Sequence, residues 1–559
     1  MTDTPQGHNG LSEFLPKILT VWREGYGLGD LRADALAGLT VAIVALPLSM
    51  AIAIASGVGP ERGLYTAIVG GFLVSALGGS RYQVGGPAGA FIVLVSACVM
   101  AIGLQGLILA TFLSGIFLIV AGALRFGTYI RYIPYPVTVG FTAGIAVIIF
   151  ASQLREMFGL TLPGAEPGEV FAKLEALWAA RGTVTPAAVA VAALTAGLIL
   201  GFRRFRPGWP GMLIAVAVAS VVVAALGLEV ATIGTRFGDL PNMLPVPSLP
   251  DWSLWQSALP WAVSFALLGA IESLLSAVVA DGMSGARHRS NAELVAQGLA
   301  NMGSAVFGGF CVTGTIARTA TNVRAGSRGP VSGMLHALFL LAFMIVAAPL
   351  AAYIPLAALA GVLGVVAWGM AERHEFASLL RSSRGDAMVV SVTFLLVVFR
   401  DLTEGIIVGF ALAGLVFIRR MSEAVEMRHR PRPDPGPGED DRRADRVVYH
   451  LRGPYFFGAA AQIGGVLERI AEAPRAFVLD MTDVPLIDSS GARSFHQLAG
   501  RARRRGGQLF LVGLNPGLRR QLEAQGVREP EVRYLPDVAA VDRLLDAQQP
   551  AGESGPGQA

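Results

Sequence analysis

Between residues 34 and 420 the chain repeats one pattern: long apolar runs, separated by short gaps that hold most of the charge. About twenty apolar residues wound as a helix cross the ~30 Å hydrocarbon layer of a bilayer, so each run is read as a membrane span. The spans are expected at 34–55, 63–79, 86–101, 104–124, 133–154, 184–202, 208–228, 257–280, 291–308, 313–324, 330–350, 353–370, 385–399 and 402–420. An even number of spans puts both termini on one side. After residue 421 the pattern changes to Arg, Asp, Glu and Pro, which reads as soluble chain.

The division predicted is therefore an N-terminal segment (1–33), a membrane domain (34–420), a linker (421–446), an α/β domain (447–548) and a tail (549–559). Within the membrane domain, 34–228 and 257–420 form two repeats. Composition agrees: 53% of residues are hydrophobic and only 15% charged, with a mean hydropathy of +0.56. The net charge of +4 gives no case for nucleic acid. The basic residues are Arg apart from Lys17 and Lys173. Cys98 and Cys311 both fall in apolar segments, which argues against a disulfide framework or a zinc site and for simple packing roles. Residues 1–32 are polar and lack the short apolar core of a cleavable signal peptide. No nucleophile–base pair or metal-ligand cluster suggests an enzyme, and no cofactor is implied.

Loop charge sets the expected orientation. Arg81, Arg125, Arg131, Arg203, Arg204, Arg206, Arg287, Arg289, Arg419 and Arg420 fall on the side of the termini. The opposite side has Arg62, Arg155, Lys173, Arg181, Arg236 and Arg400, although its two long loops are the largest. The positive-inside rule then places both termini in the cytoplasm of a bacterial inner membrane. The long loop at 229–256 splits the spans seven and seven. Because seven is odd, two like halves insert with opposite orientation, the inverted repeat of many secondary transporters.

The third span of each half is abnormal. One reads Tyr82-Gln83-Val84-Gly85-Gly86-Pro87-Ala88-Gly89-Ala90-Phe91, the other Gly308-Gly309-Phe310-Cys311-Val312-Thr313-Gly314-Thr315-Ile316-Ala317-Arg318-Thr319. Each has an extended lead-in, glycines, then a short apolar helix. Interrupted helices of this kind present free backbone N–H groups and positive dipole ends at mid-membrane depth, which suits an anion. Glycine-rich helices that merely pack closely are the alternative reading.

Two charges lie at depth. Glu272 is near the middle of the eighth span, with Ser276 one turn on along the same face. An ionised group there costs ~2.5–3.5 kcal/mol on insertion scales, so it needs a partner or a proton. Arg318 lies in the tenth span. Two readings stand: a structural Glu272–Arg318 ion pair locking two helices, or Arg318 as substrate charge with Glu272 as coupling group. Thr313, Thr315, Thr319 and Thr321 add uncharged donors. Pro47 is expected to kink or break the first span, with Ser49 facing the cavity. His288, His336 and His374 are expected in or beside cytoplasmic loops.

In the tail, strands are expected at 447–451, 476–481 and 508–512, and helices at 459–473, 489–505 and 516–525, an alternation that argues for a small α/β domain. The turn Asp488-Ser489-Ser490-Gly491 reads as a helix N-cap through Asp488 or Ser489, or as an exposed phosphate-accepting turn.

Several stretches together resemble the SulP anion transporters across nearly the whole chain. They are Ala55-Ser56-Gly57-Val58-Gly59-Pro60, Gly63-Leu64-Tyr65-Thr66-Ala67, Gly85-Gly86-Pro87, Gly269-Ala270-Ile271-Glu272-Ser273-Leu274-Leu275, Ala317-Arg318-Thr319-Ala320-Thr321-Asn322 and Asp488-Ser489-Ser490-Gly491. Ala277-Val278-Val279-Ala280-Asp281-Gly282-Met283 and Asn291-Ala292-Glu293-Leu294-Val295 look most like the bacterial dicarboxylic-acid-uptake branch. The resemblance implies the fold of the uracil transporters, with spans 5–7 and 12–14 as a gate and the rest as a moving core. It implies an anion site between the starts of spans 3 and 10, facing spans 1 and 8. Here that is Ser49, Ala88, Gly89, Ala90, Phe91, Thr313, Gly314, Thr315, Ile316, Ala317 and Arg318, with Glu272 and Ser276 as coupling residues. It also implies homodimers and a STAS-like tail whose second serine, Ser490, is a phosphorylation site with a possible protein partner.

Two departures from the family pattern matter. Leu48 follows Pro47 where many members carry a polar amide, and Glu272 with Arg318 replaces the Asp without arginine of sodium-coupled bicarbonate members. The function expected is proton-coupled uptake of sulfate or four-carbon dicarboxylates by an elevator-like movement. The alternatives are sodium-coupled bicarbonate transport, a nucleobase transporter of the same fold, and a membrane-tethered signalling protein.

Overall fold

In a computed structural model the described residues are 12–130, 134–164, 166–167, 169–206, 209–400, 402–429, 446–457 and 476–548. The expected helix at 459–473, the middle of the expected linker, Arg131 and the expected tail at 549–559 lie outside them. The chain divides into two compact units, with the break between Phe410 and Ala411 inside the Leu402–Glu423 helix.

In the first unit helices stand at each expected span. Eight helical runs among the described residues are long and apolar enough to cross a bilayer, from Leu28–Ala55 to Leu402–Glu423. The others are short or interrupted. The second apolar run is built in pieces, Pro60–Tyr65, a π-turn at Thr66–Gly70, and Gly71–Leu77. Ile92–Ala123 is one run in name only: Gly103 adopts φ 71°, a conformation costly for any other residue, and parts the third segment from the fourth. Pro47, by contrast, does not break its helix, which continues through it from Leu28 to Ala55.

The helices gather into two bundles. In one, Tyr135–Phe158, Pro186–Phe205, Gly211–Leu226, Leu356–Met370 and Arg384–Phe399 pack on each other. In the other, Leu28–Ala55, Ile92–Ala123, Trp255–Ser284, Ser290–Val306, Ile316–Arg324 and Val331–Ala351 do so. The grouping follows the small residues: Gly115 meets the Gly298 carbonyl and Gly361 meets the Ala192 carbonyl, so helix backbones approach closely in both bundles. Cys98 and Cys311 are buried in this core, with Cys311 Sγ 3.4 Å from Thr111 Oγ1.

The second unit is a five-stranded sheet in the order β3 (Glu426–His429), β4 (Arg446–Arg452), β5 (Ala476–Asp483), β6 (Gln508–Val512) and β7 (Val532–Leu535). The first pair is antiparallel and the other three parallel. Apolar side chains cover both faces, Phe477 and Leu479 on one and Val478 and Phe510 on the other, as a parallel sheet requires. Strand β3 corrects the expectation of linker at 421–446: Glu426–His429 is too polar to signal a strand, and only pairing with β4 makes it one. Strand β7 and the Val538–Gln548 helix were likewise not foreseen.

Candidate anion site between two half-helices

The two abnormal segments meet. β1 (Gly85–Gly86) and β2 (Thr313–Gly314) pair antiparallel, Gly85 opposite Gly314 and Gly86 opposite Thr313. Val84 extends the junction, its carbonyl accepting from Thr315 N at 3.1 Å and its N–H donating to Thr319 Oγ1 at 3.2 Å. Each strand leads through an extended residue toward a helix. On the first side Ala88 is extended and a 3₁₀ turn, Gly89–Phe91, leads into the helix from Ile92. On the second side Thr315 is extended and caps the nine-residue helix Ile316–Arg324. At ~1.5 Å per residue that helix covers roughly half the hydrocarbon thickness.

Two helix N-termini therefore converge from opposite halves. Neither Ala88 nor Thr315 gives a side-chain acceptor to the first-turn N–H groups, so apart from Phe91 N, which donates to the Ala88 carbonyl at 3.1 Å, these remain available to a ligand. Ala88, Ala90 and Phe91 are buried, while Gly89 and Ile316 are part-exposed and Ala317 is exposed, which fixes the open side of the junction. A Cβ on Gly89 would sit 3.0 Å from Ile149 Cδ1 and 3.7 Å from Met370 Sδ, so this side abuts the other bundle.

Arg318, 2% exposed, lies across the junction. Its Nη2 donates to Ser49 Oγ at 3.0 Å and points to the Pro87 carbonyl at 3.4 Å, and its Nη1 reaches the Gly85 carbonyl at 3.5 Å. Gly86 makes room for it: a Cβ there would overlap the guanidinium. Among the described residues its Nε has no partner, and no carboxylate lies within ion-pairing distance. Ser49 is fully buried rather than open to a cavity, and it in turn donates to the Ala45 carbonyl.

Glu272 comes from the Trp255–Ser284 helix, which faces both junctions. Gly269, one turn before it, lies against Phe91, and Ser273 beside it bonds Thr313 Oγ1 (2.7 Å) and Gln297 Oε1 (2.9 Å). Gly314 N donates to Ser273 Oγ at 3.3 Å. Glu272 itself is 6% exposed and makes no hydrogen bond or ion pair with a described residue. The structural Glu272–Arg318 ion pair, one of the two readings open from the sequence, is thus absent.

Ser276 donates to Thr319 Oγ1 at 3.0 Å, binding the eighth span to the second half-helix. Thr321 is spent on its own helix, donating to the Ala317 carbonyl. His336 corrects an expectation: it is fully buried in the Val331–Ala351 helix, because Gly38 lets that helix's backbone approach closely and Gly71 leaves room beside the ring. His288 is also largely buried, its Nδ1 2.7 Å from Asp281 Oδ2. Sequence reasoning missed Ser273 and Gln83, which join the junction through contacts that no local motif announces.

Paired half-helices with an unpaired buried arginine between them are the arrangement expected of an anion carrier. Sequence comparison agrees and decides the family: residues 31–393 match the Sulfate permease family. The chain belongs to that family. Residues 439–535, within the second unit, match the STAS domain.

Among sulfate permease relatives, the putative sulfate transporter YvdB of Bacillus subtilis is 39% identical over 510 residues, covering 90% of this chain and 95% of that one. The bicarbonate transporter BicA of Synechocystis is 30% identical over 549 residues, covering 93% and 94%. Among solved structures, murine Slc26a9, an anion transporter in the inward-facing state, superposes with a TM-score of 0.84 at 19% identity, covering 98% of this chain and 96% of that one, a likeness of fold. The transmembrane domain of a cyanobacterial BicA superposes at 0.61 with 30% identity, covering 69% and 98%. The protein is a multi-pass membrane anion transporter of the sulfate permease family, carrying a STAS domain.

In the STAS unit Asp488 is the helix cap, accepting from Gly491 N at 2.7 Å and from Phe457 N at 3.1 Å. Ser490 is exposed in the first turn of Ser489–Arg504.

Proposed function

We propose that this transporter takes up sulfate or a four-carbon dicarboxylate together with protons. The observation that carries the proposal is Arg318, a buried cation with no carboxylate partner among the described residues, at the meeting point of two helix N-termini without side-chain caps. A buried uncompensated charge is costly, and a doubly charged anion supplies the missing partner. The anion is held by the first-turn N–H groups at Ala88–Ala90 and Ile316–Ala317 together with Arg318. Glu272, unpaired among the described residues and on the helix that faces both half-helices, takes and releases the proton. Uptake proceeds by the half-helix bundle moving against the other bundle, with the contact of Gly89 with Ile149 and Met370 on the sliding face.

Bicarbonate is the second reading, favoured by the full-length match to the BicA transporters. A nucleobase reading lacks support because the tenth span offers an arginine where a neutral ring would want an acceptor. Fourteen spans, both termini in the cytoplasm of an inner membrane and a homodimer complete the proposal, with a STAS domain that receives a protein partner and is phosphorylated at Ser490. A phosphate in the first turn of a helix gains from the dipole. Phosphopeptide mass spectrometry of membranes from growing cells, finding Ser490 unmodified under all conditions, would remove that element.

The main test is uptake of radiolabelled sulfate, succinate and bicarbonate into proteoliposomes, with and without a pH or sodium gradient. Glu272→Gln should abolish stimulation by an inward proton gradient. Stimulation that persists undiminished in this variant would rule out the coupling role, and sodium-driven bicarbonate uptake alone would favour the second reading.

A further inference from the structure

A second buried carboxylate in the half-helix bundle differs from Glu272 in being fully occupied. Glu293, in the first turn of the Ser290–Val306 helix, is 0% exposed. Its Oε2 accepts from Ser80 N and its Oε1 from Gln83 Nε2, both at 2.9 Å. No cation among the described residues pairs with it at 4.0 Å or closer. Both acceptor positions are thus engaged by N–H donors, and both donors belong to the lead-in of the first half-helix.

The chain of contacts continues into the anion site. The Gln83 side chain lies against β2 so closely that a Cβ on Gly314 would overlap its amide. Gln83 also holds its own strand, its carbonyl accepting from Ser75 Oγ at 3.2 Å. The next residues, Val84 and Gly85, are those that bond Thr315, Thr319 and Arg318. The ninth span therefore reaches the site through one carboxylate and one amide.

We propose that Glu293 is a positioning residue: through Gln83 it sets the register of β1 against β2, and so the spacing of the two half-helix N-termini that hold the anion. The inference rests on the site assignment made above. The chemistry makes it specific. A carboxylate accepts from Ser80 N–H and from the Gln83 amide at once. An amide at position 293 accepts only one of them and turns its own N–H₂ toward the other donor.

The test compares the KM and maximal rate of radiolabelled sulfate uptake in proteoliposomes (radiolabelled bicarbonate if sulfate is not carried), using variants that elute as monodisperse protein. Glu293→Gln should raise KM about tenfold, the loss expected of a buried hydrogen bond to a charged group, with the maximal rate within about twofold of native. Gln83→Glu combined with Glu293→Gln exchanges donor and acceptor, restores both bonds, and should return KM to within about twofold of native. Gln83→Met, which leaves the carboxylate in place, should raise KM as the single variant does and serves if Glu293→Gln does not fold.

An unchanged KM in Glu293→Gln or Gln83→Met, or no recovery in the exchanged pair, would overturn the proposal. A shifted pH dependence in Glu293→Gln would make the group a proton carrier and overturn it as well. Arg318→Ala in the same assay separates the two claims. If it leaves KM unchanged, the site assignment fails; if it raises KM while Glu293→Gln does not, only the positioning role fails.

Discussion

The two half-helix junctions share a backbone plan and differ in chemistry. Both run from a two-residue strand through an extended residue into a helix without a side-chain cap, and their strands pair with each other as antiparallel partners. The first, Gly85–Phe91, offers only backbone and apolar side chains. The second, Thr313–Thr319, brings hydroxyls and a guanidinium. An inverted repeat thus delivers two dipole ends by symmetry, whereas charge is supplied once. One buried arginine suffices because a second would repel it at this distance, while backbone N–H groups add attraction without adding a desolvated ion. The first junction shapes the site and the second gives it sign.

Substitutions can break that comparison, and the largest effect belongs to the charge. Arg318→Ala should weaken anion affinity about tenfold to a hundredfold, the ~1.5–3 kcal/mol of hydrogen bonding to a charged group, measured as KM for uptake or by competition binding. Equal losses from Arg318→Ala and from changes confined to the first junction would make the two halves equivalent and end the asymmetric reading.

Next comes Gly86→Ala. Its Cβ would overlap the Arg318 guanidinium, so the arginine must leave its contacts with Gly85 and Pro87. We expect about a tenfold rise in KM, and a markedly smaller penalty when the change is made in an Arg318→Ala background, because the clash is then gone. A full additional loss in the double variant would show that Gly86 acts through the backbone alone.

The smallest effect is expected at the hydroxyls that support the second junction. Ser273→Ala removes a group shared by Thr313, Gln297 and Gly314 N, and should cost ~1–3 kcal/mol of stability, read as a lower melting temperature in detergent. Transport by the folded fraction should keep its KM within a fewfold of native. Ser276→Ala should behave in the same way through its bond to Thr319.

Much of this was legible along the chain. The apolar runs, the split at 229–256 and the matched interruptions at Gly85–Pro87 and Gly314–Ile316 follow from local composition, since a bilayer demands apolar length and glycine marks where a helix stops. Less legible were the elements that local pattern does not encode. A two-residue strand has no periodicity, so the pairing of β1 with β2 left no trace; neither did β3, whose polar residues become a strand only beside β4. The helix through Pro47 shows the limit from the other side. A proline suggests a break, but neighbouring helices hold the chain in line.

The sequence by itself marked Glu272, inside an apolar run, and Arg318, just after the Thr313-Gly314-Thr315 interruption, as charges of segments read as membrane spans. Whether they pair was decided only by the tertiary structure. Arg318 turns toward Ser49 and the Gly85 and Pro87 carbonyls, while Glu272 has no partner among the described residues. The same holds for Glu293 and His336, one fully hydrogen-bonded and the other packed between helices. A charge's depth is a property of its own segment, whereas its partner is set by residues more than two hundred positions away, and only the folded chain brings them together.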